Sequence, residues 1–144
     1  MNHDDRTFNL IYFASFIDAE GYIEYANRKK ANGRGQIYEG KAVRLEVTNT
    51  DFTIIQDMMD FFQEGHLYQD KPRKTATGKQ ALPILRYVTS YFKTYKVLKL
   101  VLPYMRHQKK LEKAHNIIEW YENENKQAVN RVKKYKEKLD ELDL

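Results

Sequence analysis

The chain has 144 residues, which suits one domain with its own hydrophobic core, and its aromatic share of 13% is not that of a disordered chain. It contains no cysteine, which excludes disulfides, thiolate metal sites and cysteine nucleophiles. The net charge is +5, and because the sequence shows neither a secretory signal nor a membrane-spanning stretch, we expect a soluble intracellular protein.

The first third of the chain predicts a helix followed by a β-hairpin. Residues 7–20 carry apolar side chains at helical spacing, and Gly21 ends the predicted helix. Residues 22–30 and 36–48 are rich in aromatic and β-branched residues, and the turn sequence of residues 32–35, Asn-Gly-Arg-Gly, separates them. Two such segments around such a turn predict a hairpin.

The same order of elements then recurs along the chain. Asp51 is a good N-cap for a second helix over residues 52–63. The elements predicted after it are strands over 66–71 and 82–89, a third helix over 90–102 with Ser90 as its cap, and a fourth helix over 106–121.

Two successive helix–strand–strand units define the expected fold class. They predict an α+β fold of order αββαββα, in which a four-stranded antiparallel sheet has helices on one face and leaves the other face open. We expect this domain to cover residues 1–121. Residues 122–144 have nearly balanced acids and bases with a thin apolar stripe, which predicts a charged helix or a frayed tail, with the helix favoured.

The positive charge is concentrated in two segments. Residues 28–44 contain six basic residues against one acid, and residues 93–113 contain seven against one. Duplex DNA carries one phosphate charge per about 1.7 Å of its axis, so such segments suit neutralisation of its backbone. The alternative is a basic hairpin that is merely solvated.

Residues 13–21, Phe-Ala-Ser-Phe-Ile-Asp-Ala-Glu-Gly, form the most informative segment. The small residues Ser15 and Ala19 lie one helical turn apart, which allows two helices to approach closely. Glu20 and Gly21 then end the helix in a carboxylate that precedes a sharp turn. If two such helices pack together, their two carboxylates come close and need a divalent cation between them. Paired acids with a hard cation suit hydrolysis of a phosphodiester.

This segment resembles the LAGLIDADG motif of homing endonucleases, and the predicted αββαββ order resembles the fold of that family. The resemblance covers about residues 7–121, has a single motif copy, and includes a stretch from Pro103 to Lys110 that is similar to the family's Pro-Tyr element. The residues that match the letters of the motif are Ala14, Ile17, Asp18, Ala19 and Gly21.

The resemblance implies roles for the end of the motif helix. The second acid of the motif binds the metal in this family, and that position is Glu20 here. The preceding carbonyl, at Ala19, is expected to help hold Mg²⁺ or another divalent cation. The first acid, Asp18, is expected to support the helix end or the interface.

The resemblance assigns two further catalytic positions. A polar residue at the end of the second strand positions water in the family, and Asn49 occupies that place. A lysine early in the helix after the Pro-Tyr element serves as the active-site cation. Counted from Pro103, that position is Gln108, and Lys109 is the nearest lysine that can stand in. A glutamine at this position predicts slow or absent turnover.

The predicted sheet is expected to contact DNA, because a two-stranded β-ribbon fits the major groove and alternate residues share one face. Arg28 and Arg44 are the best guanine readers by chemistry. The residues expected to meet phosphates, contacts that position the protein but do not read the sequence, are Lys29, Arg34, Lys41, Arg73, Lys74 and Lys79. The predicted DNA-binding set is Glu24, Ala26, Arg28, Lys30, Arg34, Lys41, Ala42, Arg44, Glu46, His66, Tyr68, Asp70, Arg73 and Lys74.

The single motif copy implies a homodimer with the motif helices at a twofold axis, acting on near-palindromic double-stranded DNA. The expected reaction is metal-dependent double-strand cleavage, with neither a membrane nor a small-molecule substrate as partner. The alternatives are a non-cleaving DNA-binding regulator or RNA-splicing maturase on the same fold, and an interaction domain led by its C-terminal helix. The residues expected at the dimer interface are Phe8, Ile11, Tyr12, Ser15 and Ala19.

Overall fold

The computed structural model describes residues 3–71 and 74–142. None of the helices in these ranges combines the length and the apolar character that crossing a bilayer requires. The helices and strands, in chain order, are α1 His3–Glu20, β1 Gly21–Ala31, β2 Ile37–Asn49, α2 Phe52–Phe62, β3 His66–Asp70, β4 Ile84–Ser90, α3 Phe92–Val101, α4 Gln108–Glu119 and α5 Val129–Leu142. A 3-10 turn, Leu102–Tyr104, joins α3 to α4, and a π-helical turn, Trp120–Glu124, with a 3-10 turn, Lys126–Ala128, joins α4 to α5.

The four strands form one antiparallel sheet in the order β1-β2-β4-β3. Residues with odd numbers on β1, β2 and β4 point towards the helices, as the buried Ile23, Leu45 and Tyr87 show. Even-numbered residues point to the other face, which none of the described helices covers. The predicted α+β fold, with a four-stranded antiparallel sheet and helices on one face, is confirmed.

A single hydrophobic core lies between the sheet and the helices. α1 contributes Leu10, Phe13, Ala14 and Ile17, which are 5% exposed or less. Phe13 packs its ring against Phe61 and Phe62 at the end of α2, with centroids 5.2 Å and 5.5 Å away. This burial fixes which side of α1 faces inward, and it therefore fixes which side remains available to a partner.

Most element boundaries differ from the sequence-based prediction by one or two residues, and two differences are larger or change the role of a residue. α1 begins at His3, four residues before the expected start. The expectation that Ser90 caps the third helix was wrong, because Ser90 is the last residue of β4. α3 instead follows Tyr91, whose φ of 56° and ψ of −125° turn the chain sharply, and the Tyr91 N–H bonds to the Val43 carbonyl at 2.9 Å.

The C-terminal residues fold back as helix α5 and pack on α3. Val132 is buried, and the Tyr135 ring lies 5.9 Å from that of Tyr95 and 6.4 Å from that of Phe92. The Tyr135 hydroxyl donates to the Lys96 carbonyl at 2.9 Å. Tyr135 therefore fastens α5 to the domain, although the sequence pattern of aliphatic residues did not include it.

Glu122 joins the π-helical turn to both α3 and α5. Its carboxylate accepts from the Tyr95 hydroxyl at 2.7 Å and pairs with Lys99 at 2.9 Å and Lys136 at 3.5 Å. Burial alone would raise the pKa of this carboxyl, but the hydrogen bonds from Tyr95 and Lys99 outweigh it and hold the pKa below its ordinary value of 4.5. The charged form of Glu122 therefore stabilises the folded chain.

We expect Glu122→Gln to lower the free energy of unfolding by about 1 kcal/mol at neutral pH, because it weakens hydrogen bonds to a charged group. A folded pKa that is lowered gives stability that is present above the unfolded pKa and is lost as the pH falls through the folded pKa. Urea unfolding should therefore show a difference between the two proteins that shrinks below pH 4.5. Glu137→Gln, the same change at an exposed position of α5, is the control. A difference that is independent of pH would contradict this assignment.

Candidate nucleic-acid interface and metal site

The junction between α1 and β1 has room only for glycine. A Cβ atom on Gly21 would lie 2.6 Å from the Ile17 carbonyl oxygen, closer than real Cβ contacts allow. Gly21 is also the first residue of the sheet, where it pairs with Val47. The chain therefore passes from helix to strand without a loop, and Glu20 stands at that corner.

The Glu20 carboxylate is exposed at the end of α1. Within residues 3–71 and 74–142, no group donates a hydrogen bond to it and no cation pairs with it. Both of its oxygens therefore remain available to a ligand. Ala19 beside it is also exposed, and the carbonyl end of a helix carries partial negative charge, which favours a cation there.

The Asp18 side chain points away from this corner and contacts the main chain that precedes α4. Its Oδ2 accepts from the Arg106 N–H at 2.7 Å, just before α4 begins. Its Oδ1 is buried and has no partner among the described residues. The contact suits the structural role expected for the first acid of the motif, because it ties α1 to the segment that leads into α4.

The lysine that reaches the end of α1 is Lys110, whereas Lys109 was the expected stand-in. The Lys110 Nζ donates to the Asp18 carbonyl at 2.7 Å and to the Ile17 carbonyl at 3.3 Å. Gln108 and Lys109 are exposed in the first turn of α4. Lys110 therefore places a positive charge at the end of α1 and binds carbonyls that the helix end leaves unpaired.

Asn49 uses its side-chain oxygen to start the next helix. Its Oδ1 accepts from the Asp51 N–H at 2.7 Å, and the Asp51 carboxylate in turn accepts from the Thr53 N–H at 3.0 Å. The Asn49 amide nitrogen has no hydrogen-bond partner in the described part of the chain. It is the half of this side chain that remains able to bind water or DNA.

A divalent cation fits the donors at this corner only in part. A carboxylate and a main-chain carbonyl are hard oxygen ligands of the kind that Mg²⁺ and Ca²⁺ prefer. However, the described residues contain no cluster of three or more acidic or histidine side chains able to hold a metal ion. Glu20 and the Ala19 carbonyl therefore do not complete a coordination shell by themselves, and a divalent cation held there would need further oxygens from a second chain, a phosphate or water.

The open face of the sheet has a composition suited to contact with a polar surface. The register places Tyr22 opposite Glu46, Glu24 opposite Arg44, and Tyr68 opposite Arg86, so all of these side chains share that face. The sequence-predicted residues that lie on it are Glu24, Ala26, Arg28, Lys30, Ala42, Arg44, Glu46, His66, Tyr68 and Asp70. Ala42 is buried there, at 6% exposure, and so offers little surface for the predicted contact.

Arg86 on β4 is a member of this face that the sequence reasoning missed. It lies between Glu46 and Asp70, with nitrogen–oxygen distances of 3.3 Å and 3.1 Å. The alternation of buried Leu85, Tyr87 and Thr89 in the same strand would have placed Arg86 on the open face, but no face was assigned to β4.

The open face carries little net charge, because its basic side chains are matched by carboxylates. Arg28 pairs with Glu24 at 2.7 Å and Arg44 with Glu46 at 2.5 Å. The positive charge predicted from residues 28–44 is therefore spread towards the hairpin tip and away from the centre of the face. The charged groups of the face are four basic side chains, Arg28, Lys30, Arg44 and Arg86, and three carboxylates, Glu24, Glu46 and Asp70.

The structure places the other predicted phosphate contacts in different surroundings. Arg34 is exposed in the β1–β2 turn, and Lys74 is exposed in the β3–β4 connection, where it pairs with Gln80. Lys41 belongs to the opposite side of the hairpin, since it donates to Asn27 at 2.5 Å and lies over the Tyr25 ring. The predicted contact Arg73 lies outside the described residues.

The side of α1 that the core does not use is apolar. Phe8 is 69% exposed, Tyr12 55% and Ile11 42%. Ser15 and Ala19 are also exposed, and they continue the same face towards Glu20. All five are the residues predicted for a dimer interface. Large apolar side chains exposed together on a helix are typical of a surface that binds another protein.

Comparison with solved structures supports the family resemblance at the level of the fold. Homing endonuclease I-CvuI, in complex with an I-CreI target, superposes with a TM-score of 0.57 at 18% identity, over 80% of this chain and 66% of that one. The group I intron-encoded homing endonuclease I-CeuI, complexed with DNA, gives 0.55 at 13% identity, over 77% and 52%. The LAGLIDADG homing endonuclease I-SmaMI, bound to cleaved DNA, gives 0.53 at 13% identity, over 88% and 42%.

These similarities define the class of fold: the chain has the fold of the LAGLIDADG homing endonucleases. It spans about two thirds of the I-CvuI chain and about half of the I-CeuI chain. A scan against protein-family models finds no match, and a search of curated proteins also finds none.

Lys110 and Lys109 give a matched test of the helix-end contact. We expect Lys110→Met to lower the free energy of unfolding by about 1 kcal/mol, because two carbonyls lose a charged donor. Lys109→Met should change it by less than about 0.5 kcal/mol, as is usual for an exposed position. Urea denaturation of both variants measures the difference. Equal losses would show that Lys110 does not hold the end of α1.

Proposed function

We propose that this chain is a site-specific double-strand DNA endonuclease that acts as a homodimer on a near-palindromic site. The observation that carries the proposal is the position of Glu20. Its carboxylate has no partner among the described residues, and it stands where the apolar side of α1 meets the first residue of the open sheet. A strand face for DNA and an acid for the metal therefore meet at one corner.

Two copies joined along α1 complete the proposed cleavage centre. The exposed Phe8, Ile11 and Tyr12 give each copy an apolar contact surface, and Ser15 and Ala19 are small enough for close approach. A twofold axis along this side brings the two Glu20 carboxylates towards each other. It also sets two open faces side by side, each over one half-site.

The residues at the corner divide the proposed chemistry between them. Glu20 and the Ala19 carbonyl would hold Mg²⁺ or another divalent cation, which activates water and stabilises charge on the phosphate when bound. Lys110, 2.7 Å from the Asp18 carbonyl, places a positive charge beside the same phosphate. The free amide nitrogen of Asn49 orients water or a phosphate oxygen at the end of β2.

A second candidate is a DNA-binding regulator or RNA-splicing maturase that has this fold but does not cleave. The observation that favours it is the position of the basic residues of α4. Lys110 is engaged with two main-chain carbonyls, and Gln108 stands where the family resemblance implies a lysine. In such a protein the sheet would still bind nucleic acid, and Glu20 would have no catalytic role.

Glu20→Gln should separate the two candidates. We expect it to reduce Mg²⁺-dependent cleavage of a plasmid library by at least about a thousandfold, since metal stabilisation of charge is worth several kcal/mol and each 1.4 kcal/mol is tenfold in rate. Binding to duplex DNA should be retained, because the sheet is unchanged. Linear product on gels and gel-shift affinities measure the two properties.

The control is Glu119→Gln, an equal change of charge at an exposed position of α4, which should cleave at the rate of the unmodified protein. If the unmodified protein and Glu20→Gln bind DNA equally and neither cleaves, the regulator is the correct reading. Cleavage by Glu20→Gln at the unmodified rate would remove Glu20 from the mechanism.

The dimer is tested by filling the small side of α1. We expect Ser15→Arg to convert a protein with the sedimentation mass of two chains into one with the mass of a single chain, because the side chain blocks the approach of helices. Asn130→Arg on α5 is the matched control, since Asn130 is also an exposed helical residue. A single-chain mass for the unmodified protein at micromolar concentration would refute the homodimer.

A further inference from the structure

Four side chains cross the open face as a continuous chain of alternating charge, which we call the arginine–carboxylate chain. It begins at Arg44 on β2, whose Nη2 lies 2.5 Å from Glu46 Oε2. The other oxygen of Glu46 lies 3.3 Å from Arg86 Nη1 on β4, and Arg86 Nη2 lies 3.1 Å from Asp70 on β3. The chain thus spans three neighbouring strands.

The guanidinium groups in this chain have little freedom to move. Arg86 is held by carboxylates on both sides and lies over the Tyr68 ring, with 5.5 Å between its guanidinium carbon and the ring centroid. The Nε atoms of Arg44 and Arg86 are buried, without a partner among the described residues. The Arg44 side chain is 36% exposed and that of Arg86 30%, so most of each side chain packs against its neighbours on the sheet.

This arrangement differs from that of a basic surface built to hold phosphates. A phosphate would compete with the carboxylates for the same guanidinium groups. The net charge of the four side chains in the arginine–carboxylate chain is zero. Recognition of a guanine edge does not require a net positive charge on the protein, because it needs only two hydrogen-bond donors in a fixed plane. An arginine side chain that is already ordered before DNA binds also loses less conformational entropy when it makes that contact.

We propose that Glu46 and Asp70 are positioning residues for sequence recognition, which hold Arg44 and Arg86 as guanine readers and weaken their contact with phosphates. The inference rests on the proposed binding of DNA by this face. Arg28 offers the contrast within the same sheet. Like Arg44, it has one carboxylate partner among the described residues, Glu24, four residues earlier on the same strand. Its side chain is 59% exposed, against 36% for Arg44, so it can reach a phosphate more readily.

Selection of bound sequences from a randomised duplex library tests the proposal with Glu46→Gln. We expect the variant to bind random duplex about threefold more tightly at low salt, with a salt dependence steeper by about one counterion, because two arginines are released towards phosphates. The selected sequences should lose about tenfold of their discrimination at the base pairs that Arg44 and Arg86 read.

Two companion variants make the result specific. Glu39→Gln removes a carboxylate from the same strand at an exposed position of the hairpin, and it should leave the selected sequences unchanged. Asp70→Asn releases Arg86 on one side only, so it should reduce base discrimination at fewer positions of the selected sequences than Glu46→Gln does. It also carries the test if Glu46→Gln does not fold. Selected sequences that are identical for all three variants and the unmodified protein would overturn the proposal.

A measurement without DNA separates this inference from the proposed function. Relaxation of the arginine Nε–H groups by NMR should show Arg86 and Arg44 rigid in the unmodified protein, and mobile in Glu46→Gln. Mobile guanidinium groups in the unmodified protein would refute the positioning role, whether or not DNA binds. Rigid groups in a protein that binds no duplex would refute the proposed function and leave the arrangement itself intact.

Discussion

The rest of this structure depends on the absence of space behind Gly21. Any side chain there would meet the Ile17 carbonyl at 2.6 Å, so α1 and β1 join without a loop. The direction of α1 therefore fixes the position of the first strand, and Glu20 is held at the place where helix, sheet and solvent meet. Independently of Gly21, the packing of Phe13 and Ile17 into the core divides α1 into a buried side and an exposed side.

Most of the fold could be predicted from local sequence patterns, because short segments of the chain determine the order of its helices, strands and turns. The spacing of apolar residues, the Asn-Gly turn and the cap at Asp51 were sufficient for the order of elements, and alternation was sufficient for the faces of β1 and β2. The pairing of β2 with β4 brings distant residues together, and no local pattern expresses it. Alternation along β4 could have placed Arg86 on the open face, but its ion pairs with Glu46 and Asp70 depend on this pairing of distant strands.

The candidate metal corner shows the same division. Its acid could be found from the motif, because Glu20 and Gly21 are adjacent in sequence. Its lysine could not be found from the motif. Counting along α4 does not reveal which side chain contacts the Asp18 carbonyl, which is 92 residues earlier in the sequence. Lys110 does so because it lies on the side of α4 that faces α1, whereas Lys109 points to solvent. Likewise, the oxygen of Asn49 is used by the turn that starts α2, which only the hydrogen bonds reveal.

The nearly neutral centre of the sheet has a consequence for how such a protein would search a genome. A surface that holds phosphates strongly stays for a long time at every wrong position, and its residence there limits the speed of the search. If this face binds DNA as proposed, the carboxylates would reduce that hold, while the exposed Arg34 and Lys74 at the periphery would still attract the phosphate backbone. Short visits to incorrect sequences, followed by release and a new encounter, are the kinetic behaviour that this balance of charge favours.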